Sequence, residues 1–231
     1  IILYKKGDPR EIRNYRPITL LQVDYKIRSK ILVARLKPAV DDIVNRAQLG
    51  FVPGRNITEA THLLKLVQAY VDEMDEEAII VAADWEKAFD RVSWDYMFQA
   101  LDALEFGPYI TGWIGTMYNT SAPPTRNVKS NGQRSPAFYI KSGVPQGCPA
   151  SPLIFLIVAE ALTRAVEHET RIKGIDVHGT EVKITQFADD TQFLLRGFKH
   201  LKWVWPILKE YEGATAMRAN MKKFEGLRCG R

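Results

Sequence analysis

Two adjacent aspartates, Asp189 and Asp190, lie between two segments in which apolar and polar residues alternate, 182–188 and 191–195. Alternation with a period of two is typical of a β-strand that buries one face. Because the gap between the segments is so short, the two strands must form a hairpin with both carboxylates at its turn. This hairpin constrains the fold more than any other stretch of the sequence.

Aspartate is also a common turn residue, because its side chain bonds its own backbone, so the pair alone does not indicate a site. A third acid changes that interpretation. The run 78–83 is continuously apolar, as in a strand covered on both faces, and it ends at Asp84. Three carboxylates on neighbouring strand ends repel one another, and hard divalent cations such as Mg²⁺ relieve that repulsion. Two such ions, about 3.5–4 Å apart, suit in-line phosphoryl transfer.

The bulk composition limits the class of protein. The chain of 231 residues suits one large domain or two closely packed subdomains, and its net charge of +5 permits a polyanionic partner without requiring one. Cys148 and Cys229 are too far apart for a disulfide framework or a zinc motif. No signal peptide or membrane-length apolar run is visible, so we expect a nuclear or cytoplasmic protein. The sequence begins without Met and ends without a helix cap, which suggests a fragment of a longer protein.

Five short motifs follow one another over nearly the whole chain. They are residues 14–18 (NYRPI), 48–51 (QLGF), 84–90 (DWEKAFD), 142–149 (SGVPQGCP) and 187–190 (FADD). Together, and in this order, they resemble the sequence boxes of reverse transcriptases, especially those of non-LTR (LINE-type) retrotransposons and group II introns. The last motif resembles the aromatic-x-Asp-Asp box of that family, and residues 84–90 resemble its first catalytic box.

The resemblance implies an α+β fold with the fingers and palm of a right-hand polymerase. Its antiparallel palm sheet would pack on helices, and no thumb would follow. Residues 1–77 would form a fingers-like subdomain and residues 78–231 the palm, within a single reverse transcriptase domain. The implied activity is RNA-templated DNA synthesis in retrotransposition, an RNA-directed DNA polymerase reaction that this fragment alone need not perform. The implied partners are an RNA template, a DNA primer, deoxynucleoside triphosphates and other domains of the same polyprotein, with no membrane.

The same resemblance implies roles for eight residues. Asp84, Asp189 and Asp190 would be catalytic and would hold two Mg²⁺ ions, with Mn²⁺ as an alternative. The nucleotide-binding residues would be Arg16, Phe89, Gln146, Gly147 and Lys223. Arg16 suits a triphosphate because its planar fork bonds phosphate bidentately. Gly147 permits a close backbone approach, and Gln146 can bond base or sugar edges.

Two other functions remain open at this point. The sequence has Ala150, Ala216 and Phe224 where the family usually has Leu, Gly and a small hydroxyl residue, which suggests a catalytically inactive relic that still binds nucleic acid. A metal-dependent phosphohydrolase could use the same three acids. Hydrolysis, however, would not need Phe89 or the loop that carries Gln146.

Local signals predict several other elements. Asn56 followed by Glu59 predicts a capping box at the start of a helix. Asn131-Gly132 predicts a tight hairpin turn. Pro206 lies within the helical stretch 201–212, and we expect it to kink that helix or to start one there.

Overall fold

The computed structural model describes residues 1–119 and 121–230. Its α-helices are α1 (Val23–Leu36), α2 (Val40–Ile43), α3 (Ile57–Met74), α4 (Ala88–Arg91), α5 (Trp94–Ala103), α6 (Gly107–Met117), α7 (Ser151–His168) and α8 (Leu201–Thr215). Its strands are β1 (Ile2–Tyr4), β2 (Tyr15–Pro17), β3 (Glu77–Ala83), β4 (Thr125–Arg126), β5 (Lys129–Ser130), β6 (Gln133–Arg134), β7 (Phe138–Tyr139), β8 (Ile175–Val177), β9 (Thr180–Val182), β10 (Ile184–Phe187), β11 (Asp190–Leu195) and β12 (Glu225–Gly230).

A four-stranded antiparallel sheet, in the order β10-β11-β3-β12, organises the molecule. Strand β3 lies inside the sheet and is almost entirely buried, as its continuous apolar run predicts. The expected hairpin is β10–β11, but only one of the two acids lies in its turn: Phe187 pairs with Asp190, so Ala188 and Asp189 form the turn and Asp190 begins β11. Both features of the sequence prediction, the α+β class and the antiparallel sheet packed on helices, are confirmed.

Helices cover both faces of this sheet. On one face, α5, α7 and α8 form the larger core, and α7 is buried on nearly all sides because it lies directly under the strands. On the other face, Val67 and Val71 of α3 pack with Ile80 and Leu194 in a second core. Helix α3 falls in the range that the sequence assigns to the fingers, yet it packs on the palm sheet. The boundary at residue 77 stays a prediction.

The local predictions have different outcomes. The capping box is confirmed: Asn56 accepts from the Thr58 backbone N–H at 2.9 Å, and Glu59 accepts from the Asn56 N–H at 3.0 Å. The predicted turn at Asn131-Gly132 is confirmed between β5 and β6.

Of the two alternatives for Pro206, a helix start there is wrong, because α8 runs through it from Leu201 to Thr215. The kink stays a prediction. Val204 and Leu208 anchor the helix in the core while Pro206 itself faces solvent. The carbonyl that the proline leaves without a backbone donor can therefore bond water.

Both cysteines are free and buried. Across the two described ranges, we find no helix with the length and apolar character needed to cross a bilayer.

Candidate active site

Asp84 stands where β3 leaves the sheet. It is the first acid after a buried strand, so its carboxylate reaches the sheet edge. Its Oδ2 accepts hydrogen bonds from Lys223 Nζ at 2.7 Å and from Asn220 Nδ2 at 3.3 Å. The Asn220 backbone N–H also donates to the Asp84 carbonyl, at 2.8 Å. The segment after α8 is thus fastened to this strand end, and it brings Lys223 onto the carboxylate.

The turn of the β10–β11 hairpin brings the other two acids to the same edge. Phe187 pairs with Asp190, so Ala188 and Asp189 form a two-residue turn. Thr191 and Ala83 are the last pair between β11 and β3, so Asp190 and Asp84 are the neighbouring residues just beyond that pair. The structure therefore gathers the three predicted acids, while their roles stay predictions.

The crowding of these carboxylates alters the ionisation of Asp189. Burial raises the pKa of its carboxyl, and the neighbouring carboxylates of Asp190 and Asp84 raise it further. A backbone hydrogen bond and the Arg16 guanidinium act in the opposite direction. A cluster of this kind favours the binding of cations, because a positive charge offsets both the repulsion and the burial.

Three basic side chains approach the acids. Arg16 lies opposite Leu3 in the β1–β2 hairpin, and Lys5 follows on the same hairpin. Burial lowers the pKa of Lys5, and so do the nearby charges of Arg16 and Lys223, whereas Asp84 raises it. Lys5, Arg16 and Lys223 therefore form a cationic cluster beside the carboxylates, from opposite ends of the sequence. Such a cluster suits a polyphosphate.

The donor set fits a hard divalent cation by its chemistry, since it consists of three carboxylates at one edge whose mutual repulsion is visible at Asp189. Within residues 1–119 and 121–230, however, no three His, Cys, Asp or Glu side chains are arranged to hold a metal ion. At Asp84 the charge is instead balanced by the Lys223 ammonium.

The loop with Gln146 and Gly147 contacts both the segment before α1 and the helix α4. Gln146 Nε2 donates to both carboxylate oxygens of Asp90, at 3.1 and 3.2 Å. The backbone carbonyl of Gln146 accepts from the Thr19 N–H at 2.8 Å. Gly147 has φ +107°, and a Cβ there would lie 2.9 Å from the Thr19 carbonyl oxygen. Asp90, which the sequence analysis does not count among the metal ligands, thus holds Gln146.

Phe89 is half-buried in α4, the short helix after Asp84. Its ring stacks on Phe155, with centroids 4.5 Å apart and an interplanar angle of 12°. Its carbonyl accepts from the Val144 N–H at 2.7 Å. A cavity of about 770 Å³ lies beside α4 and is lined by Thr19, Tyr25, Asp90, Arg126 and Gly143 among others. Neither the three acids nor Phe89 belong to its lining.

Sequence reasoning missed the polar residues that hold the acids in place. Gln48 is buried and bonds to the Ala188 backbone. A second buried network joins the strand end at Trp85 to the turn: Thr191 Oγ1 accepts from Trp85 Nε1 and from Gln186 Nε2, each at 3.2 Å, and Thr163 Oγ1 donates to Gln186 Oε1 at 2.6 Å. An amide within an apolar stretch, such as Gln48 between Ala47 and Leu49, is the signal that could have pointed to such a role.

Comparison with known proteins shows the family of this chain. Residues 4–228 match the family described as reverse transcriptase (RNA-dependent DNA polymerase). The chain belongs to the reverse transcriptase family. It is 31% identical over 228 residues to the transposon TX1 uncharacterized 149 kDa protein of Xenopus laevis, covering 98% of this chain and 17% of that protein. It is 26% identical over 201 residues to the RNA-directed DNA polymerase from mobile element jockey of Drosophila melanogaster, covering 85% of this chain and 21% of that protein.

A solved structure extends the likeness to the fold. Telomerase from Candida tropicalis, in complex with a TWJ fragment of telomeric RNA, superposes with a TM-score of 0.63 over 87% of this chain and 33% of that one, at 14% identity. At this identity the likeness concerns the fold alone, and it confirms the predicted right-hand polymerase fold. The reverse transcriptase chain described here spans about a fifth of the length of its curated relatives.

Proposed function

We propose that this reverse transcriptase domain copies RNA into DNA during retrotransposition, by nucleotidyl transfer from a deoxynucleoside triphosphate to a primer 3′-hydroxyl. The observation that carries the proposal is the meeting of Asp84, Asp189 and Asp190 at one sheet edge, beside a cluster of basic side chains. These acids would hold two Mg²⁺ or Mn²⁺ ions, which when bound would lower the pKa of the 3′-hydroxyl and neutralise charge at the phosphorus.

The basic cluster would bind the triphosphate. Arg16 presents two parallel N–H donors to a phosphate, and Lys5 adds a second charge from the same hairpin. Lys223 is bonded to Asp84 before substrate arrives. When nucleotide binds, we expect its ammonium to turn to the β- and γ-phosphates, which later leave as pyrophosphate. This movement would free the Asp84 oxygen.

Gln146 and Gly147 would position the template and the incoming nucleotide. Asp90 holds the Gln146 amide in one orientation, and Gly147 lets the backbone pass close to Thr19. Residues 1–77 would act as fingers and residues 78–231 as palm. The partners would be an RNA template, a DNA primer and further domains of a longer polyprotein, in the nucleus or the cytoplasm.

The second candidate is a catalytically inactive relic that retains nucleic-acid binding. One observation favours it: Ala216, where the family usually has Gly, ends α8 in a left-handed conformation with φ +61°. An L-residue there costs about 1 kcal/mol relative to Gly. The three acids are nevertheless retained, so we take polymerisation as the primary proposal.

Primer extension by the full-length protein on an RNA template separates the two candidates. We expect Mg²⁺-dependent addition of deoxynucleotides that disappears in Asp84→Asn. Tight, salt-sensitive binding of primer–template without any extension would instead support the relic. Release of inorganic phosphate or nucleoside monophosphate without extension would point to a hydrolase.

Choice of sugar tests the role proposed for Phe89. An aromatic ring beneath the incoming sugar would occupy the space of a 2′-hydroxyl and so exclude ribonucleotides by a steric clash. We expect Phe89→Val to raise the kcat/KM for ribonucleotides relative to deoxynucleotides by about tenfold or more, a difference of about 1.4 kcal/mol. An unchanged ratio with a lower Tm would make Phe89 a core residue that supports Phe155.

A further inference from the structure

The turn that carries Asp189 has a backbone conformation that its own residues do not favour. Ala188 has φ +57°, in the left-handed region that residues with a side chain rarely adopt. Neither Ala188 nor its neighbours Phe187 and Asp189 is a glycine or asparagine, the residues that tolerate this region most readily. Something outside the hairpin must therefore hold the turn.

The side chain of Gln48 contacts both backbone groups of Ala188. Its Oε1 accepts from the Ala188 N–H at 2.8 Å and from the Gly50 N–H at 2.9 Å, and its Nε2 donates to the Ala188 carbonyl at 3.2 Å. These partners fix the orientation of the amide, because two backbone donors require the oxygen and the carbonyl requires the nitrogen. Gln48 is 2% exposed, so water does not compete for these bonds.

The backbone around Gln48 is joined to the hairpin as well. The Gln186 N–H donates to the Ala47 carbonyl, and the Leu49 N–H donates to the Gln186 carbonyl, each at 2.7 Å. Gly50 then passes so close to the turn that a Cβ on it would lie 2.3 Å from the Ala188 nitrogen. Residues 47–50 thus form a clamp on the turn, defined here by these backbone contacts and the Gln48 amide.

We infer that Gln48 is a positioning residue: through Ala188 it holds the strained turn and so sets where the Asp189 and Asp190 carboxylates lie relative to Asp84. Gln48 itself touches no reacting atom, and its effect is transmitted through the backbone of the turn. The inference rests on the proposed function only in giving these acids a catalytic role. Loosening the clamp should therefore affect cation binding and turnover more than nucleotide binding.

The test uses the full-length protein in four forms: parent, Gln48→Met, Gln48→Met with Ala188→Gly, and Ile172→Ala. Methionine keeps the length of the side chain but forms none of the three hydrogen bonds. Glycine at 188 adopts a positive φ unaided. Ile172 is fully buried in the core, and its truncation controls for a general loss of stability.

Three measurements are compared: kcat and KM for primer extension, Mn²⁺ affinity by calorimetry, and hydrogen exchange of residues 187–190. We expect Gln48→Met to lower kcat about 10–100-fold and Mn²⁺ affinity about tenfold, as for other residues that orient metal ligands. The KM for nucleotide should change less than about threefold, and exchange at Ala188 should accelerate. Adding Ala188→Gly should restore part of kcat and of Mn²⁺ affinity.

Several results would overturn the inference: parent-like kcat and Mn²⁺ affinity in Gln48→Met, a loss matched by Ile172→Ala, or no rescue by Ala188→Gly. If Gln48→Met does not fold, Gln48→Glu replaces it. Glutamate keeps the two accepted bonds but sets a carboxylate oxygen against the Ala188 carbonyl, so an intermediate loss of kcat is expected and a parent-like kcat overturns the inference. A parent without polymerase activity would refute the proposed function instead, and unchanged exchange at Ala188 in the variant would then refute the role of Gln48 separately.

Discussion

Two hairpin turns of this molecule each contain two residues, but their conformations are stabilised in different ways. Asn131 and Gly132, between β5 and β6, have φ of +49° and +80°, and a side chain at position 132 would meet nothing within 4 Å. Asn-Gly is the pair that favours such a turn by itself. Ala188 and Asp189, between β10 and β11, take a strained turn that residues 47–50 hold in place.

The difference shows how this protein encodes its candidate active site. The surface turn is specified by its own two residues, whereas the acidic turn depends on a side chain 140 positions earlier in the chain. Strained backbone persists only where the surrounding structure enforces it, and such positions cluster at functional sites. The acidic turn should therefore be sensitive to remote substitutions that the surface turn tolerates.

The largest expected effect comes from removing the charge at the acidic turn. Asp189→Asn should lower primer extension by about 10³-fold or more, because the proposed cation site would lose a ligand. Adding Asp84→Asn should cost little further activity, since residues that act as a unit are not additive. The matched control is Asp176→Asn in the β8–β9 hairpin, where Asp176 Oδ1 accepts from the Gly179 N–H at 2.7 Å and asparagine can do the same. Robust extension by Asp189→Asn would contradict the proposed mechanism.

A smaller effect should follow from adding one methyl group at Gly50. In Gly50→Ala the new Cβ would collide with the backbone at Ala188, and relief of that clash should cost about 1–3 kcal/mol of stability and displace the turn. Gly132→Ala suffers an unfavourable φ but no collision, at about 1–2 kcal/mol.

Denaturant unfolding and primer extension together distinguish these two glycine variants. Gly50→Ala should lose both stability and kcat, and Gly132→Ala should lose stability alone. Equal kcat in the two variants would show that the acidic turn is no more dependent on its surroundings than the surface turn.

The smallest expected effect concerns the short helix α4, where the Gln146 side chain donates hydrogen bonds to the Asp90 carboxylate. Burial raises the pKa of Asp90 above its usual 3.8, and the Gln146 hydrogen bonds only partly oppose this. Because the folded pKa exceeds the unfolded one, ionisation favours unfolding, and the free energy of unfolding falls as pH rises from about 3.8 through the folded pKa.

Asp90→Asn should remove that decline while keeping an acceptor for Gln146. The measurement is the difference in unfolding free energy between variant and parent, from pH 3 to pH 7. A difference that does not change with pH would contradict the prediction.

Sequence reasoning succeeded where the signal was local. Three signals each depend on residues close in the sequence. Alternation around Asp189 predicts the strands of the β10–β11 hairpin, the apolar run before Asp84 predicts β3, and Asn56 with Glu59 predicts the capping box. It failed for a helix start at Pro206, because Val204 and Leu208 anchor α8 in the core and the proline faces solvent, so packing overrides the local preference.

The clamp on the acidic turn could not have been predicted from residues 48–51 alone. Motif resemblance drew attention to them, but their contact with Ala188 depends on how distant elements pack. The same holds for Lys5, whose approach to Lys223 and Asp84 joins the two ends of the sequence.

The buried network of Trp85, Thr163, Gln186 and Thr191 has a consequence for how related sequences diverge. Each member forms a side-chain hydrogen bond with another member, so replacing one alone leaves a buried donor or acceptor without that partner. A later change at a second position can relieve that deficit, which makes the effect of either change depend on the other. Among related reverse transcriptase sequences, these four positions should therefore change together rather than singly.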